Sequence, residues 1–241
     1  MGKFLAVLLS GLASIIFILC LFFSVLQFTI NDGNFITREY EKLSLGAEMG
    51  LSDADLAAAC LHLVDYMEGR EAHIALFVML DGQQTLLFDQ EQEISHMADV
   101  WLLYQNFRNG RNWGLLLSVL FYGCAVLLQK RSAVAILATG YQGGTLLIAI
   151  ALAALGGWAA LDFSDFWTFF HETLFWNDDW MFDMATSRMI NMLPEAFFAD
   201  VILRVILIGG LLCTSLFLLA VFAKKRFSAP AFWQPEKTPN G

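Results

Sequence analysis

Four long apolar stretches constrain this chain more than any other feature of its sequence. They cover residues 4–28, 113–129, 133–161 and 201–223. A helix of about 20 apolar residues crosses the roughly 30 Å of hydrocarbon in a bilayer, and each stretch approaches or exceeds that length. Because lipid offers no hydrogen bonds to an open backbone, each stretch is predicted to be helical. The sequence therefore predicts an all-α membrane protein with four transmembrane helices.

Positive residues beside these stretches indicate which side of the membrane each helix end faces. Cytoplasmic flanks are enriched in lysine and arginine. In a four-span chain all such flanking residues fall on one side: Lys3, Lys130, Arg131, Lys224, Lys225 and Arg226. We therefore expect a multi-pass protein of the bacterial cytoplasmic membrane, with both termini in the cytoplasm and the larger connections outside.

These assignments divide the chain into six segments. Transmembrane helices occupy residues 1–28, 112–161 and 201–223, and the middle range holds two helices joined by a short cytoplasmic turn. The remaining segments are a small α/β extracytoplasmic unit (29–111), an aromatic-rich interfacial loop (162–200) and a cytoplasmic tail (224–241). The tail contains three prolines and no periodicity, which is typical of disorder.

Negative charge is concentrated in the two outer connections. They contain all but one of the 23 acidic residues, and the formal net charge of the chain is −9. An acidic surface argues against a nucleic-acid partner, which would need a basic patch. Of the four cysteines only Cys60 lies outside the predicted spans, so no external pair exists for a disulfide.

Local patterns predict three elements in the extracytoplasmic unit. Ser52 precedes an apolar-periodic run that ends before Gly69, which is typical of a capped helix. The dipeptide at 81–82, Asp-Gly between two apolar runs, predicts a β hairpin. A helical pattern resumes over residues 91–107, and the Asn-Gly pair at 109–110 is expected to separate this helix from the next span or to kink it.

The helix that starts near residue 91 carries a histidine between two carboxylates. Glu93, His96 and Asp99 are three residues apart, so the three side chains lie near one helix face. A carboxylate that is hydrogen-bonded to one imidazole nitrogen fixes the tautomer of the ring. It also raises the basicity of the other nitrogen, as a general base requires. A solvated face with charges on every turn is the competing interpretation.

A second histidine, His171, lies in the aromatic-rich loop, at the expected depth of lipid ester groups. An ionisable group is costly there unless it is used, although an imidazole that reaches toward the headgroups is an equal alternative. A zinc site formed by His96, His171 and a carboxylate stays open, but no H-E-x-x-H motif supports it. The G-x-S-x-G motif is also absent, which disfavours a covalent serine hydrolase.

Three stretches carry a family resemblance: EISHMADV at 93–100, FFH at 169–171, and LPEAFF at 193–198 after Trp180. Together with the four-span plan they resemble the lipoprotein intramolecular transacylase family of bacterial membrane proteins. The resemblance implies an acyltransferase that moves the sn-2 acyl chain of a lipoprotein's diacylglyceryl-cysteine to the α-amino group of that cysteine. The product is a lyso-form lipoprotein.

The resemblance further implies that His96 and His171 are the catalytic residues. They would act as acid and base, in either order, without a covalent acyl-enzyme, a cofactor or a metal. Supporting roles, in orienting His96 or in hydrogen bonding to the ester carbonyl, are expected for Glu93, Asp99, Asn177 and Trp180. The expected partners are the diacylated lipoprotein and membrane lipid, while the oligomeric state is open.

Two other function classes compete with this interpretation. One is a non-catalytic membrane assembly or sensor subunit that binds a protein partner through its acidic outer face. The other is a transporter, which would need charged or broken helices near the middle of the membrane. Arg204 is the only charged residue within a predicted span, and it is expected to reach the headgroups or to pair with Asp200.

Overall fold

The computed structural model describes residues 2–80 and 82–228, and within these ranges the chain is mostly helical with one two-stranded sheet. In chain order the elements are α1 (Gly2–Ile30), α2 (Gly33–Leu43), α3 (Leu45–Met49), α4 (Asp53–Glu68), β1 (Leu76–Leu80), β2 (Gln83–Leu87), α5 (Glu91–Gln129), a 3-10 turn (Lys130–Ser132), α6 (Ala133–Leu161), α7 (Phe163–Leu174), α8 (Arg188–Met192) and α9 (Glu195–Ser228). The disorder predicted for the tail concerns residues that lie, from 229 onward, outside the described ranges.

Three helical segments of the described chain are long and apolar enough to cross a membrane: Gly2–Ile30, Glu91–Leu161 and Glu195–Phe227. The chain is therefore a membrane protein. The sequence predicted four spans, whereas the length and composition of the helices give three candidates. The second segment is 71 residues long and includes both the 113–129 and the 133–161 range, which meet at the 3-10 turn. The count of four remains a prediction.

The capped helix and the hairpin predicted for the outer part are confirmed. The Ser52 side chain accepts the Asp55 N–H at the start of α4, and Gly69 ends that helix at a left-handed φ of 77°. Strands β1 and β2 pair antiparallel with Leu76 opposite Leu87. Gly82, at φ 78°, supplies the left-handed conformation that the turn needs.

Of the two expectations for residues 109–110, the separation is wrong, because α5 runs without interruption from Glu91 to Gln129, whereas the kink stays a prediction. A glycine within a helix costs only about 1 kcal/mol relative to alanine. Breaking the helix at the edge of the bilayer would leave several backbone groups without partners, which is more costly. The helix that carries His96 therefore continues directly into the predicted span.

The chain divides into two compact units. The first contains the described parts of residues 1–18, 114–150 and 211–241. Its helices pack through small residues: a Cβ added at Gly140 would overlap Ser10, and one at Gly144 would lie 2.8 Å from the Cβ of Ser14. Small residues of this kind let helix backbones approach closely in a membrane.

The second unit contains residues 19–113 and 151–210. Its core joins α2, α4, the hairpin, α8 and the start of α9, and its largest fully buried side chains include Tyr40, Phe88 and Met192. This unit holds every candidate site residue that the sequence indicated.

Two ion pairs join α2 to α9 within the second unit. Lys42 pairs with Asp200 at 2.5 Å, and Arg204 pairs with Asp32 at 2.5 Å. The predicted Arg204–Asp200 pair is therefore wrong. Asp32 caps α2 and so presents its carboxylate to Arg204, whose guanidinium also lies 4.2 Å from the ring centroid of Phe35. The Arg204 hydrogen bond holds the pKa of the Asp32 carboxyl below its ordinary value.

Candidate active site

His96 and His171 lie side by side although 75 residues separate them in the chain. His96 is in the N-terminal part of α5 and His171 is on α7. Their ring centroids are 6.0 Å apart and the ring planes differ by 33°. Each residue is only 8% exposed. The fold thus brings together the two imidazoles that the sequence singled out.

Aromatic side chains surround both imidazoles. The ring planes of Phe175 and Phe182 are inclined to that of His96 by 62° and 80°, at centroid distances of 5.1 and 5.4 Å. Trp180 stacks on His171 at 4.8 Å. We call this set the aromatic enclosure, and its members are Trp167, Phe170, Phe175, Trp180 and Phe182. The sequence assigned these residues to the lipid headgroup level, yet Phe175 is buried against both histidines.

Burial in the enclosure lowers the pKa of both imidazoles. The pKa of His96 falls to about 4, chiefly because burial disfavours the charged ring and then because a charge on His171 repels it, while Asp99 and Asp179 act in the opposite direction. Burial also lowers the pKa of His171, partly offset by its hydrogen bond to the Trp167 backbone. Both rings are therefore neutral at pH 7.

Hydrogen bonding distinguishes the two rings. The Nδ1 atom of His171 lies 2.8 Å from the Trp167 carbonyl oxygen. Because a carbonyl only accepts, Nδ1 carries the proton of the neutral ring and Nε2 keeps a free lone pair. In His96 the Nδ1 atom is buried and has no hydrogen-bond partner among the described residues. His171 therefore offers a fixed acceptor at Nε2. In neutral His96 the proton is better placed on Nε2, because the buried Nδ1 has no acceptor among the described residues.

Glu93 does not contact His96 through a hydrogen bond, contrary to the orienting role that the sequence suggested. Its carboxylate is almost fully buried and accepts hydrogen bonds from the Ser187 hydroxyl at 2.6 Å and from the Met189 backbone N–H at 3.1 Å. Glu93 therefore fixes the start of α8 to α5 rather than the tautomer of His96.

Asp99 acts on His96 through its charge and on Asn177 through a hydrogen bond. The Asn177 amide donates to the Asp99 carboxylate at 2.8 Å, and the Asn177 side-chain oxygen accepts the Asp179 N–H at 3.1 Å. The Asn177 NH2 group has a second N–H, so the expected donation to a substrate carbonyl stays a prediction. Trp180, the fourth supporting candidate, packs flat on His171.

Three further residues, which no sequence pattern indicated, complete these contacts: Ser95, Asp179 and Ser187. Ser95 donates to the Asp179 carboxylate at 2.6 Å, and Gln92 donates to the Asp179 and Met181 carbonyls at 3.1 and 3.0 Å. The density of polar side chains at and just before the start of α5 is the only signal that could have indicated these bonds. We call this set the polar seam, and its members are Gln90, Gln92, Glu93, Ser95 and Asp99.

The described ranges hold no group of three or more histidine, cysteine, aspartate or glutamate side chains placed to bind a metal ion. The residues around the two histidines instead suit proton transfer. A fixed acceptor, a neutral donor and a largely dry aromatic surrounding can move one proton between groups of a bound substrate.

Comparison with known proteins gives matches of two kinds. The sequence model of the lipoprotein intramolecular transacylase family matches residues 11–198. The solved structure of the membrane integral lipoprotein intramolecular transacylase Lit from Bacillus cereus is similar, with a TM-score of 0.70 and 20% identity over 91% of this chain and 97% of that chain. No curated protein sequence matches this chain.

Two variants of the same Bacillus cereus protein, in which one histidine is replaced by alanine or by arginine, are also similar. Their TM-scores are 0.66 and 0.65 at 20% identity, and the matches cover 91% and 92% of this chain and 94% of each of those chains. At this identity the structural likeness establishes the fold.

Proposed function

Because this chain belongs to the lipoprotein intramolecular transacylase family, we propose that it moves the sn-2 acyl chain of a diacylglyceryl-cysteine lipoprotein to the α-amino group of the same cysteine. The product is the lyso-form lipoprotein. The observation that carries this proposal is the pair of buried, neutral imidazoles, His96 and His171, at a centroid distance of 6.0 Å.

The proposal includes a place for the reaction. We place the protein in the bacterial cytoplasmic membrane with four crossings, both termini in the cytoplasm and the two histidines on the outer side. The positions of lysine and arginine beside the spans support this orientation. A helix of the 39 residues of α5 is about 58 Å long, so part of it extends beyond roughly 30 Å of hydrocarbon.

The reaction needs no nucleophile from the enzyme. The amine nitrogen of the cysteine attacks the ester carbonyl carbon, so a C–N bond forms and the C–O bond to glycerol breaks. One proton leaves the nitrogen and one arrives on the glycerol oxygen, which balances the reaction without a co-reactant. Holding the amine about 3 to 3.5 Å from the carbonyl can contribute roughly 7–11 kcal/mol.

His171 is the better base of the two. An α-amino group titrates near 8, so moving its proton to His96, with a pKa of about 4, would cost about 5 kcal/mol. His171 is spared part of this penalty, since the Trp167 carbonyl accepts from its Nδ1–H and stabilises the charged ring. Its Nε2 lone pair takes one proton from the nitrogen of the neutral amine as the C–N bond forms, and returns that proton to the glycerol oxygen as the C–O bond breaks.

His96 acts as a neutral hydrogen-bond donor. Once His171 is charged, its field disfavours a second charge on His96, so the pair holds one extra proton at a time. A neutral imidazole with its proton on Nε2 can donate to the oxyanion that develops on the ester carbonyl oxygen. The charges of Asp99 and Asp179 act on His96 and partly offset the repulsion from His171.

The proposal can be tested by expressing the chain in bacteria that make diacyl lipoproteins. Mass spectrometry of one lipoprotein N-terminal peptide then shows where the acyl groups are. The intact protein should move one acyl group from glycerol to nitrogen. His96→Ala and His171→Ala should abolish the N-acylated product, whereas the control His73→Ala, at an exposed position before the hairpin, should retain it. Full product formation by both site variants would contradict the mechanism, and no product from the intact chain would favour the assembly-subunit alternative.

A further inference from the structure

A polar groove of about 440 Å³ lies beside the site, and the proposed reaction does not use it. Three walls enclose it: consecutive residues of β2, the segment that leads into α5, and the residues at the start of α8. Glu93 belongs to the second wall and is one helical turn from His96. The groove is therefore next to the histidine pair, on the side toward the N-terminus of α5.

Arg188 lines this groove, and one nitrogen of its guanidinium has no partner among the described residues. Its Nη1 atom is buried and makes no hydrogen bond within the described chain. Buried polar groups in folded proteins are nearly always paired, and one that is not usually awaits a water, an ion or a ligand. The backbone around Arg188 is fixed, because Glu93 accepts bonds from the residues on either side of it.

The carboxylates in the groove do not neutralise this guanidinium. Asp89 and Glu93 both line the groove, yet in the described ranges neither forms an ion pair with Arg188. The Glu93 oxygen already accepts two hydrogen bonds, and Asp89 is exposed. Arg188 offers donors, and Asp89 offers acceptors, so the groove suits a neutral ligand with both kinds of group.

The edge of strand β2 borders the same groove. Gln84, Thr85 and Leu86 all line it, and since successive side chains of a strand point to opposite faces, the strand meets the groove along its edge. In the described sheet β2 pairs only with β1, so that its other edge is open. An extended peptide commonly binds to such an edge through main-chain hydrogen bonds.

The distance between the groove and the histidine pair fits a peptide that extends from the reacting cysteine at His96 into the groove. Gln90 in the groove and His96 in the site are six residues apart, which corresponds to a rise of about 9 Å. An extended chain advances about 3.3 Å per residue, so roughly three residues span this distance.

We propose that this groove holds the main chain of the lipoprotein directly after its acylated cysteine. Arg188 donates to a peptide carbonyl, and the edge of β2 pairs with the extended chain. Because main-chain groups are common to all peptides, the groove would accept lipoproteins of different sequence. This inference rests on the proposed function and adds a second, peptide-binding part to the same site.

The test compares two synthetic substrates with the purified full chain. One is diacylglyceryl-cysteine amide, and the other is the same cysteine followed by eight residues. The kcat/KM for the longer substrate should exceed that for the amide by about tenfold, as expected for a few added hydrogen bonds that include one to a charged group. In the longer substrate, N-methylation of the amides at the second to fourth positions should remove most of this preference, without any change to the protein.

Variants of Arg188 test the residue directly. Arg188→Met should reduce the ratio of the two kcat/KM values toward one, and Arg188→Lys should restore part of it. Arg38→Met is the matched control, because Arg38 lies in α2 outside the groove and bonds only to its own helix in the described chain. This control should keep the wild-type ratio.

The possible results separate the inference from the function on which it rests. Equal kcat/KM values for both substrates would overturn the groove assignment while leaving the acyl transfer intact, and would favour a lipid headgroup or another anion as the partner of Arg188. An unchanged ratio in Arg188→Met would also overturn it. Acyl transfer to nitrogen on neither substrate would instead overturn the proposed function.

Discussion

His96 and His171 differ in ways that a pair of histidines in a sequence does not reveal. The sequence indicated both residues, since each is an ionisable side chain with polar or aromatic neighbours at suggestive spacing. It left open which one accepts the proton. That distinction depends on the Trp167 carbonyl beside one ring and on the aromatic rings of Phe175 and Phe182 around the other. These contacts arise only when separate segments meet.

The low pKa of His96 predicts a loss of stability in acid. The unfolded chain binds a proton at about 6.5 whereas folded His96 binds one at about 4, so between these values the unfolded state holds more protons and stability falls as pH falls. From pH 7 to pH 5 this residue should cost about 2 kcal/mol of unfolding free energy. His96→Gln should lose that part of the pH dependence. Denaturant unfolding in detergent at both pH values measures it, and parallel curves for the two proteins would contradict the assignment.

At the scale of elements, α5 determines where the loop between α7 and α8 lies. The sequence predicted the helical pattern around residues 91–107 and the aromatic density of the loop, but not the polar seam that joins them. Each bond of the seam links residues more than 75 positions apart, and single polar residues on a helix face carry no information about such distant partners. The sequence left open whether α5 separates or only kinks at Asn109 and Gly110, because local propensity is a weak guide that tertiary context overrides.

Glu93→Ala should loosen this loop. The change leaves the Ser187 hydroxyl and the Met189 N–H without their buried acceptor, which typically costs about 1–3 kcal/mol per group. We expect a lower unfolding free energy and a reduced rate of acyl transfer, because α8 and the loop before it lose their anchor on α5. Glu91→Ala, at an exposed position on the same helix, is the control and should change neither quantity. Equal stability of the two variants would show that Glu93 anchors nothing.

Gly140→Leu should disrupt helix packing in the first unit. A side chain at this position overlaps Ser10, and overpacking of this kind usually costs about 1–3 kcal/mol. Gly143 on the same helix has no neighbour within 4 Å, so Gly143→Leu is a matched control of equal size and helix propensity. Thermal unfolding in one detergent compares the two. A Gly143→Leu protein as unstable as Gly140→Leu would refute the role of the close contact.

At the scale of the whole molecule, hydrophobicity was the most informative signal. It predicted a membrane protein and the position of α6, whose bounds Ala133–Leu161 agree with the predicted range. It did not reveal how the outer segments fold onto one another, because their core is assembled from short elements with many long-range contacts. The resemblance to a family supplied the reaction class, which neither periodicity nor charge could indicate.

If the chain crosses the membrane four times, the hairpin and the 3-10 turn face opposite sides of it. Gln83→Cys in the hairpin should react with a membrane-impermeant maleimide in intact spheroplasts. Ser132→Cys in the 3-10 turn should react only after permeabilisation, because Lys130 and Arg131 in the same turn indicate that it faces the cytoplasm. Equal labelling of both positions in intact cells would contradict the four-span topology.

If His96 and His171 act as one proton-transfer unit during acyl migration, the kcat values of the purified single and double alanine variants should show it. Each single alanine variant should lose about 10²- to 10⁴-fold in kcat, as is typical when a general acid or base is removed. The double variant should be no slower than the slower single one, because residues that act together do not contribute independently. If either single variant keeps the wild-type kcat, or if the two losses multiply in the double variant, the account is contradicted.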